Sequence, residues 1–165
     1  MTVTSLKRVD PAKRRSVFTR VFVAVGTTRP MRVVSRHVLW KLDIWLLRHT
    51  GGRVSTAWPV RIAVLETTGA KSGEPRRNAV IYFHDGDAVI VVASHAGDPR
   101  NPAWYHNLRA HPDVTFADEA MRADVVTDDA ERQRLWILAD RVFPPYEKYR
   151  RQAAPRTIPI VRLTA

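Results

Sequence analysis

Cysteine is absent from the chain, which excludes disulfide frameworks, thiolate metal sites, iron–sulfur clusters and cysteine nucleophiles together. The absence fits a reducing compartment, and a cytoplasmic protein is expected. Long apolar runs are also missing. The longest, Ala88 to Ala93, falls far short of the roughly 20 residues a helical membrane span needs. No small-residue cleavage site follows the arginine-rich start, so no cleaved leader is expected. Glycine is scarce, at 7 residues, and none falls in the Gly-x-Gly-x-x-Gly spacing of a dinucleotide turn or in a Walker-type loop. His106 and His111 straddle a helix end with no carboxylate at a useful spacing, so no metal site is expected. Ser94-His95 lacks a third orienting group, which leaves no hydrolytic triad in view.

What is present suffices for a core: 45% of the 165 residues are hydrophobic, enough for a single domain with an appended segment. The formal net charge of +11 is unevenly distributed: twelve of the 27 Lys and Arg precede Val54, against only Asp10 and Asp43. The chain divides accordingly into a basic helical segment, residues 1–56, and a body, residues 57–165. A basic arm can meet nucleic acid, anionic lipid or an acidic partner, or can simply be solvated. Its aromatics fall on helix faces that look core-directed rather than interleaved on a basic face, so no nucleic-acid partner is expected.

Apolar residues at three- and four-residue spacing predict a short helix over Val17 to Val25 and a second over Arg32 to His49. In the second, Val34, Val38, Leu42, Trp45 and Leu46 form the face expected to pack on the body. Gly51-Gly52 is its expected stop. Strands are predicted at Val60–Thr67, Asn78–Phe83, Ala88–Ala93, Val114–Ala117, Met121–Val126 and Thr157–Leu163. Asp85-Gly86 and Asp118-Glu119 mark hairpins, and Pro159 suggests an edge position or a bulge. A helix is expected from Asn101-Pro102 with Asn101 as cap. Another spans Asp128–Phe143, with Glu131 completing a capping box and Pro144-Pro145 ending it. Six short strands without a βαβ rhythm predict an α+β, mainly β fold: a closed or nearly closed antiparallel barrel.

Three stretches could carry chemistry. Thr67-Thr68-Gly69-Ala70-Lys71-Ser72-Gly73-Glu74-Pro75-Arg76-Arg77 combines glycines, a lysine, a hydroxyl and arginines. It is either an ordinary turn or an anion cradle. Ala93-Ser94-His95-Ala96-Gly97-Asp98-Pro99-Arg100-Asn101-Pro102-Ala103-Trp104-Tyr105-His106-Asn107-Leu108 runs from a strand end into a helix start, a second place for an anion. Trp104 alone reads most simply as core. Phe143-Pro144-Pro145-Tyr146-Glu147-Lys148-Tyr149 sets two tyrosines on one side of a turn, where they either cap a barrel end or wall a pocket over a planar ring.

Together these stretches resemble the deazaflavin-dependent nitroreductases of actinobacteria, over roughly Ile62 to Val161. That resemblance implies a six-stranded split β-barrel of the FMN-binding type and coenzyme F420 as cofactor, with FMN as the alternative. It implies hydride transfer from the reduced deazaflavin to a quinone-like or nitro-bearing acceptor, with a non-catalytic carrier of the same fold as the rival. Lys71, Ser72, Gly73 and Arg76 would hold the cofactor's phosphate and acidic tail. Asn78, Val80 and Ile81 would run beside the ring. Ser94, His95, Ala96 and Gly97 would border ring and phosphate, with Trp104 and Asn107 on the adjoining helix. Tyr146 and Tyr149 would shape the acceptor pocket, and Ser94 or a tyrosine could deliver a proton. Ala70, His95 and Phe143 depart from residues usual in the family: a basic residue, a lysine and a tyrosine. The resemblance also gives the segment before Pro30 a use, as a peripheral contact with the inner face of a cell membrane. A homodimer is a further expectation, because a small split barrel gains by covering an exposed face.

Overall fold

Alternation of inward and outward side chains builds the barrel, one residue in two facing the interior. The computed structural model describes residues 7–12, 40–50, 55–57 and 60–165. β1 (Ile62–Thr68) buries Ala63, Leu65 and Thr67 in strict alternation. β2 (Pro75–Asp85), β3 (Ala88–Val92), β4 (Asp113–Phe116), β5 (Glu119–Val125) and β6 (Ile160–Thr164) complete the set. All pairings are antiparallel, in the order β1-β2-β3-β6-β5-β4, and β4 returns to β1 through Leu65–Phe116 and Glu66–Thr115 to close the barrel. Pro159 therefore marks no edge. It sits just ahead of β6, and its carbonyl accepts the Ala93 N–H at 2.9 Å.

The interior is filled by Leu65, Tyr82, Val89, Val91, Phe116, Val161 and Leu163, and Trp104, Tyr105 and Leu108 join them from α2 (Ala103–Ala110). A second core lies outside the barrel wall. There Phe83, Ile90, Val92 and Ile160 meet Leu135, Ala139 and Val142 of α3 (Asp129–Val142) and Tyr146, Tyr149 and Ala153 of α4 (Pro145–Ala153). β3 is thus covered on both faces, which is why it reads as an unbroken apolar run.

Several elements differ from expectation. The 143–149 stretch is not a turn but the start of α4. Pro145 occupies a first-turn position, where its missing N–H costs nothing, and Glu147 and Arg150/Arg151 match the helix dipole at its two ends. Asn101 caps nothing, because α2 begins after Pro102. The β4–β5 hairpin turns at Ala117-Asp118, both at positive φ, and Glu119 already belongs to β5. Only half the capping box forms: Asp128 accepts the Glu131 N–H at 2.7 Å, while the Glu131 carboxylate pairs with Arg162.

The N-terminal helix is described as α1 (Trp40–His49). Two residues of its predicted inner face turn outward, while Leu46 is half-buried as expected. Leu42 and Trp45 are 42% and 55% exposed, whereas Asp43 and Leu47 are buried. The reason is polar: Asp43 accepts the Thr56 N–H at 2.6 Å and the Thr56 hydroxyl at 2.9 Å, and burying a carboxylate requires such partners. The helix over Val17–Val25, residues 32–39 and the Gly51-Gly52 stop lie outside the described residues. Further upstream, Lys7–Val9 lies against β2: the Tyr82 hydroxyl donates to the Lys7 carbonyl at 2.9 Å, and the Val9 N–H donates to His84 Nδ1 at 3.1 Å.

An ion-pair network fastens α3 to the barrel. Arg134 forks onto Asp85 at 2.8 and 2.7 Å, and Arg162 of β6 reaches both Asp85 and Glu131. The Arg134 hydrogen bonds hold the Asp85 carboxyl below its ordinary 3.8, against an opposing push from burial. A folded-state pKa depressed in this way contributes stability that is complete above the unfolded value and fades as pH falls through the folded one. Asp85→Asn is therefore expected to lower the melting temperature at neutral pH. The gap from the native chain should shrink to nothing as pH falls through the depressed folded-state pKa of Asp85. Melting curves across acid pH check this, and a gap that persists in strong acid would show that the charge is not responsible.

Candidate functional site

Two loops converge on one stretch of β2. The first joins β1 to β2 and closes on itself, the Gly69 N–H donating to the Glu74 carbonyl at 2.8 Å and the Gly73 N–H to the Gly69 carbonyl at 2.9 Å. A Cβ on Gly69 would lie 2.5 Å from Ser72 Oγ and 3.2 Å from the Glu74 carbonyl, so only glycine lets the turn fold this tightly. Asn107, buried on α2, locks the turn in place. Its Oδ1 accepts the Ala70 N–H at 3.0 Å and its Nδ2 donates to Thr67 Oγ1 at 3.1 Å, while the Thr67 hydroxyl donates to the Arg76 carbonyl at 3.4 Å.

The cations of this turn are not alike. Arg77 is paired with Glu66. Lys71 is exposed and makes no hydrogen bond or ion pair among the described residues. Arg76 has only a 3.5 Å contact to Ser72 Oγ. The Ser72 hydroxyl accepts the Glu74 N–H at 3.3 Å, so among the described residues two cationic groups stand almost uncommitted at the surface of a fixed turn.

The second loop leaves β3 and enters α2. His95, Ala96 and Gly97 hold φ of 49°, 53° and 81° in succession. Left-handed geometry costs a non-glycine residue about 1–2 kcal/mol, so the surroundings must impose it. Gly97 packs against α4, where a Cβ would come within 2.9 Å of Gln152 Oε1 and 3.2 Å of the Tyr149 Cα. The Arg156 guanidinium lies under the loop, and burial pushes its pKa down, with the Asp98 carboxylate opposing. Ser94 is half-buried, Ala96 exposed, and the His95 ring is within 3.1 Å of the Arg100 carbonyl.

Between the loops runs an open edge. β2 pairs with β1 along its whole length from Pro75 to Ile81, but β3 joins it only from Tyr82 to Asp85. In an antiparallel ladder, alternate amides and carbonyls point to opposite sides. Those between Arg76 and Ile81 that face away from β1 have no strand partner among the described residues. Arg76 and Asn78 thus lie at the cationic end of this edge. Val80 and Ile81 lie at the other, opposite the point where β3 gives way to Ser94.

Lys71, Ser72, Gly73, Arg76, Asn78, Ile81 and Ser94–Gly97 line this edge or its ends. Others contribute from behind. Val80 and Trp104 point into the barrel core, and the Asn107 amide is spent on the turn. Tyr146 and Tyr149 are 2% and 6% exposed and pack against Phe143, Tyr146 edge-on at a ring separation of 5.0 Å and Tyr149 tilted at 6.1 Å. Sequence reasoning missed Thr67 and Arg156. Arg156 directly precedes the predicted last strand, and its partners are 55 to 63 residues away in the chain, so no local spacing could reveal them.

Comparison with known proteins agrees with this geometry. The profile of the family described as F420H(2)-dependent quinone reductase matches residues 39–165. The chain belongs to that family. It is accordingly an F420-dependent reductase. An F420H(2)-dependent quinone reductase of Mycobacterium tuberculosis is 39% identical over 144 residues, covering 81% of this chain and 96% of that relative. A putative member from the same species is 40% identical over 81 residues, 47% of this chain and 68% of its own. Among solved structures, one described as F420-H2 dependent reductase (FDR-A) superposes with a TM-score of 0.56 at 33% identity, over 62% of this chain and 93% of that one. The six-stranded barrel is thus the family's, as the resemblance implied.

The residues fit the cofactor. F420 joins a flat ring to a phosphate and an acidic tail. The site offers uncommitted cations at one end and an open backbone edge leading to a strained turn at the other.

Proposed function

We propose that the chain binds reduced F420 along the open edge of β2 and reduces a quinone. The single observation that carries this reading is the Arg76–Ile81 edge, which has no second strand partner among the described residues and is set between a cationic turn and the Ser94–Gly97 turn. Lys71, Ser72, Gly73 and Arg76 take the phosphate and acidic tail, as charge-assisted bonds to a fixed cradle. Asn78 and Ile81 present backbone to the ring, and Val80 anchors that segment in the barrel. Ser94, His95, Ala96 and Gly97 close the far end, while on α2 Asn107 holds the cationic turn and Trp104 fills the barrel core behind the site.

When bound, the reduced deazaflavin supplies the hydride. The chain's task is to orient the ring, exclude water and hold a proton for the acceptor oxygen. Ser94 is the proposed proton-bearing group, since it reaches the surface of the site while Tyr146 and Tyr149 stand behind it as an aromatic wall. Phe143 brings no hydroxyl to that wall, which favours quinones over bulky nitro compounds that need a further donor.

Fluorescence titration with oxidised F420, followed by turnover of menadione with the reduced cofactor, tests the reading. Micromolar binding with turnover is expected. Absence of binding, or preference for FMN in a parallel titration, would overturn it. A second proposal concerns placement. Leu42 and Trp45 lie exposed at the end of the basic segment, a combination suited to an anionic membrane surface. Co-sedimentation with anionic vesicles is expected, weakened by Trp45→Ser and by salt; no sedimentation at low salt would end this proposal.

A further inference from the structure

The Ser94–Gly97 turn holds three consecutive residues at positive φ, yet only one of them is glycine. Such a backbone persists only where its neighbours over-determine it. One side chain reaches the turn from both of its ends. Arg156 Nε and Nη2 both donate to the Asp98 carbonyl, at 3.0 and 2.6 Å, and Nη2 also donates to the Ser94 carbonyl at 3.0 Å. Nη1 donates to Asn101 Oδ1 at 2.7 Å and to the Ala93 carbonyl at 3.3 Å. These acceptors flank the strained residues on both sides, and all are neutral oxygens. The guanidinium therefore gathers carbonyls, and its planar fork is what lets one group reach them all. Within the turn the Gly97 N–H donates to the Ser94 carbonyl and the Asp98 N–H to the His95 carbonyl, each at 3.0 Å. The Ala96 N–H has no hydrogen-bond partner among the described residues.

We infer that Arg156 is a positioning residue for the cofactor: it shapes the Ser94–Gly97 turn so that the Ser94 hydroxyl and the Ala96 N–H face the bound ring. The inference rests on the F420 reading of the site. Arg156 itself touches no ligand in this arrangement. Lysine cannot replace it, because a single ammonium lacks the planar fork that spans the Ala93, Ser94, Asp98 and Asn101 oxygens.

The test compares F420 affinity, read by fluorescence, in the native chain, Arg156→Ala and Arg156→Lys, each below its own melting temperature. Affinity should fall about tenfold or more in both variants, as expected when a preorganised loop is released. Guanidinium ion at millimolar concentration should restore affinity to Arg156→Ala, whereas methylammonium should not. Amide exchange at Gly97 and Asp98 should quicken in Arg156→Ala and slow again with guanidinium. A folded Arg156→Ala with native affinity would overturn the inference, as would equal rescue by both cations. Should Arg156→Ala not fold, Arg156→Lys decides: native affinity overturns the inference, weakened affinity supports it. If the native chain binds no F420, the reading of the site fails first and the inference falls with it, an outcome distinct from binding that ignores Arg156.

Discussion

Replacing Lys71 and Arg76 together by alanine is expected to weaken F420 binding about a hundredfold, while the melting temperature stays within a degree or so of the native value. A hydrogen bond to a charged group contributes about 1.5–3 kcal/mol, and the low end applies to exposed side chains. Two such groups amount to about 3 kcal/mol, and each 1.4 kcal/mol is a factor of ten. Stability should hardly change, because Lys71 has no partner among the described residues and Arg76 only a marginal one. Raising salt should weaken native binding far more than binding to the double variant, since screening acts on charges the variant lacks. Titrations at low and high salt check both points. Equal affinity in the two chains would remove the acidic tail from this turn. Arg77→Ala is the matched control, because that arginine is already engaged with Glu66.

Phe116→Ala is expected to cost about 3–5 kcal/mol of stability. Phe116 is fully buried where β4 closes the barrel onto β1, and its ring meets Tyr82 edge-on at 5.3 Å. Alanine there leaves a void that the closed sheet cannot collapse to fill. For a domain of this size the melting temperature should fall by about 6–20 °C. Ile137→Ala, on the exposed face of α3, should change it little. Calorimetry of both variants decides the matter. A drop of a degree or two for Phe116→Ala would mean that this residue is not part of a rigid interior.

The barrel was legible wherever a residue's fate depended on its near neighbours. Alternation in β1, the apolar run of β3 and the Asp85-Gly86 turn are local signals. So is the helix cap at Asp128. Pro144-Pro145 was read as a stop and is also a start, since proline ends one helix and opens the next by the same restriction on its backbone. The face of α1 was misjudged because hydropathy ranks Leu42 and Trp45 above Asp43. Only the Thr56 partner, distant in sequence, makes the carboxylate the better residue to bury.

The candidate site divides along the same line. Residue type alone marked Lys71, Ser72 and Arg76 as an anion cradle, because charge and hydroxyl chemistry travel with the side chain. Which cations are uncommitted depended on Glu66 claiming Arg77 across the β1–β2 ladder. Asn107 and Arg156 owe their positions to contacts across tens of residues, and those exist only once the barrel has closed. Composition, periodicity and turn chemistry thus settled the strands, the basic asymmetry and the reactive residue types. The open edge of β2, the strained turn and the side chains that hold it were decided by tertiary structure, because each arises where segments distant in the chain meet.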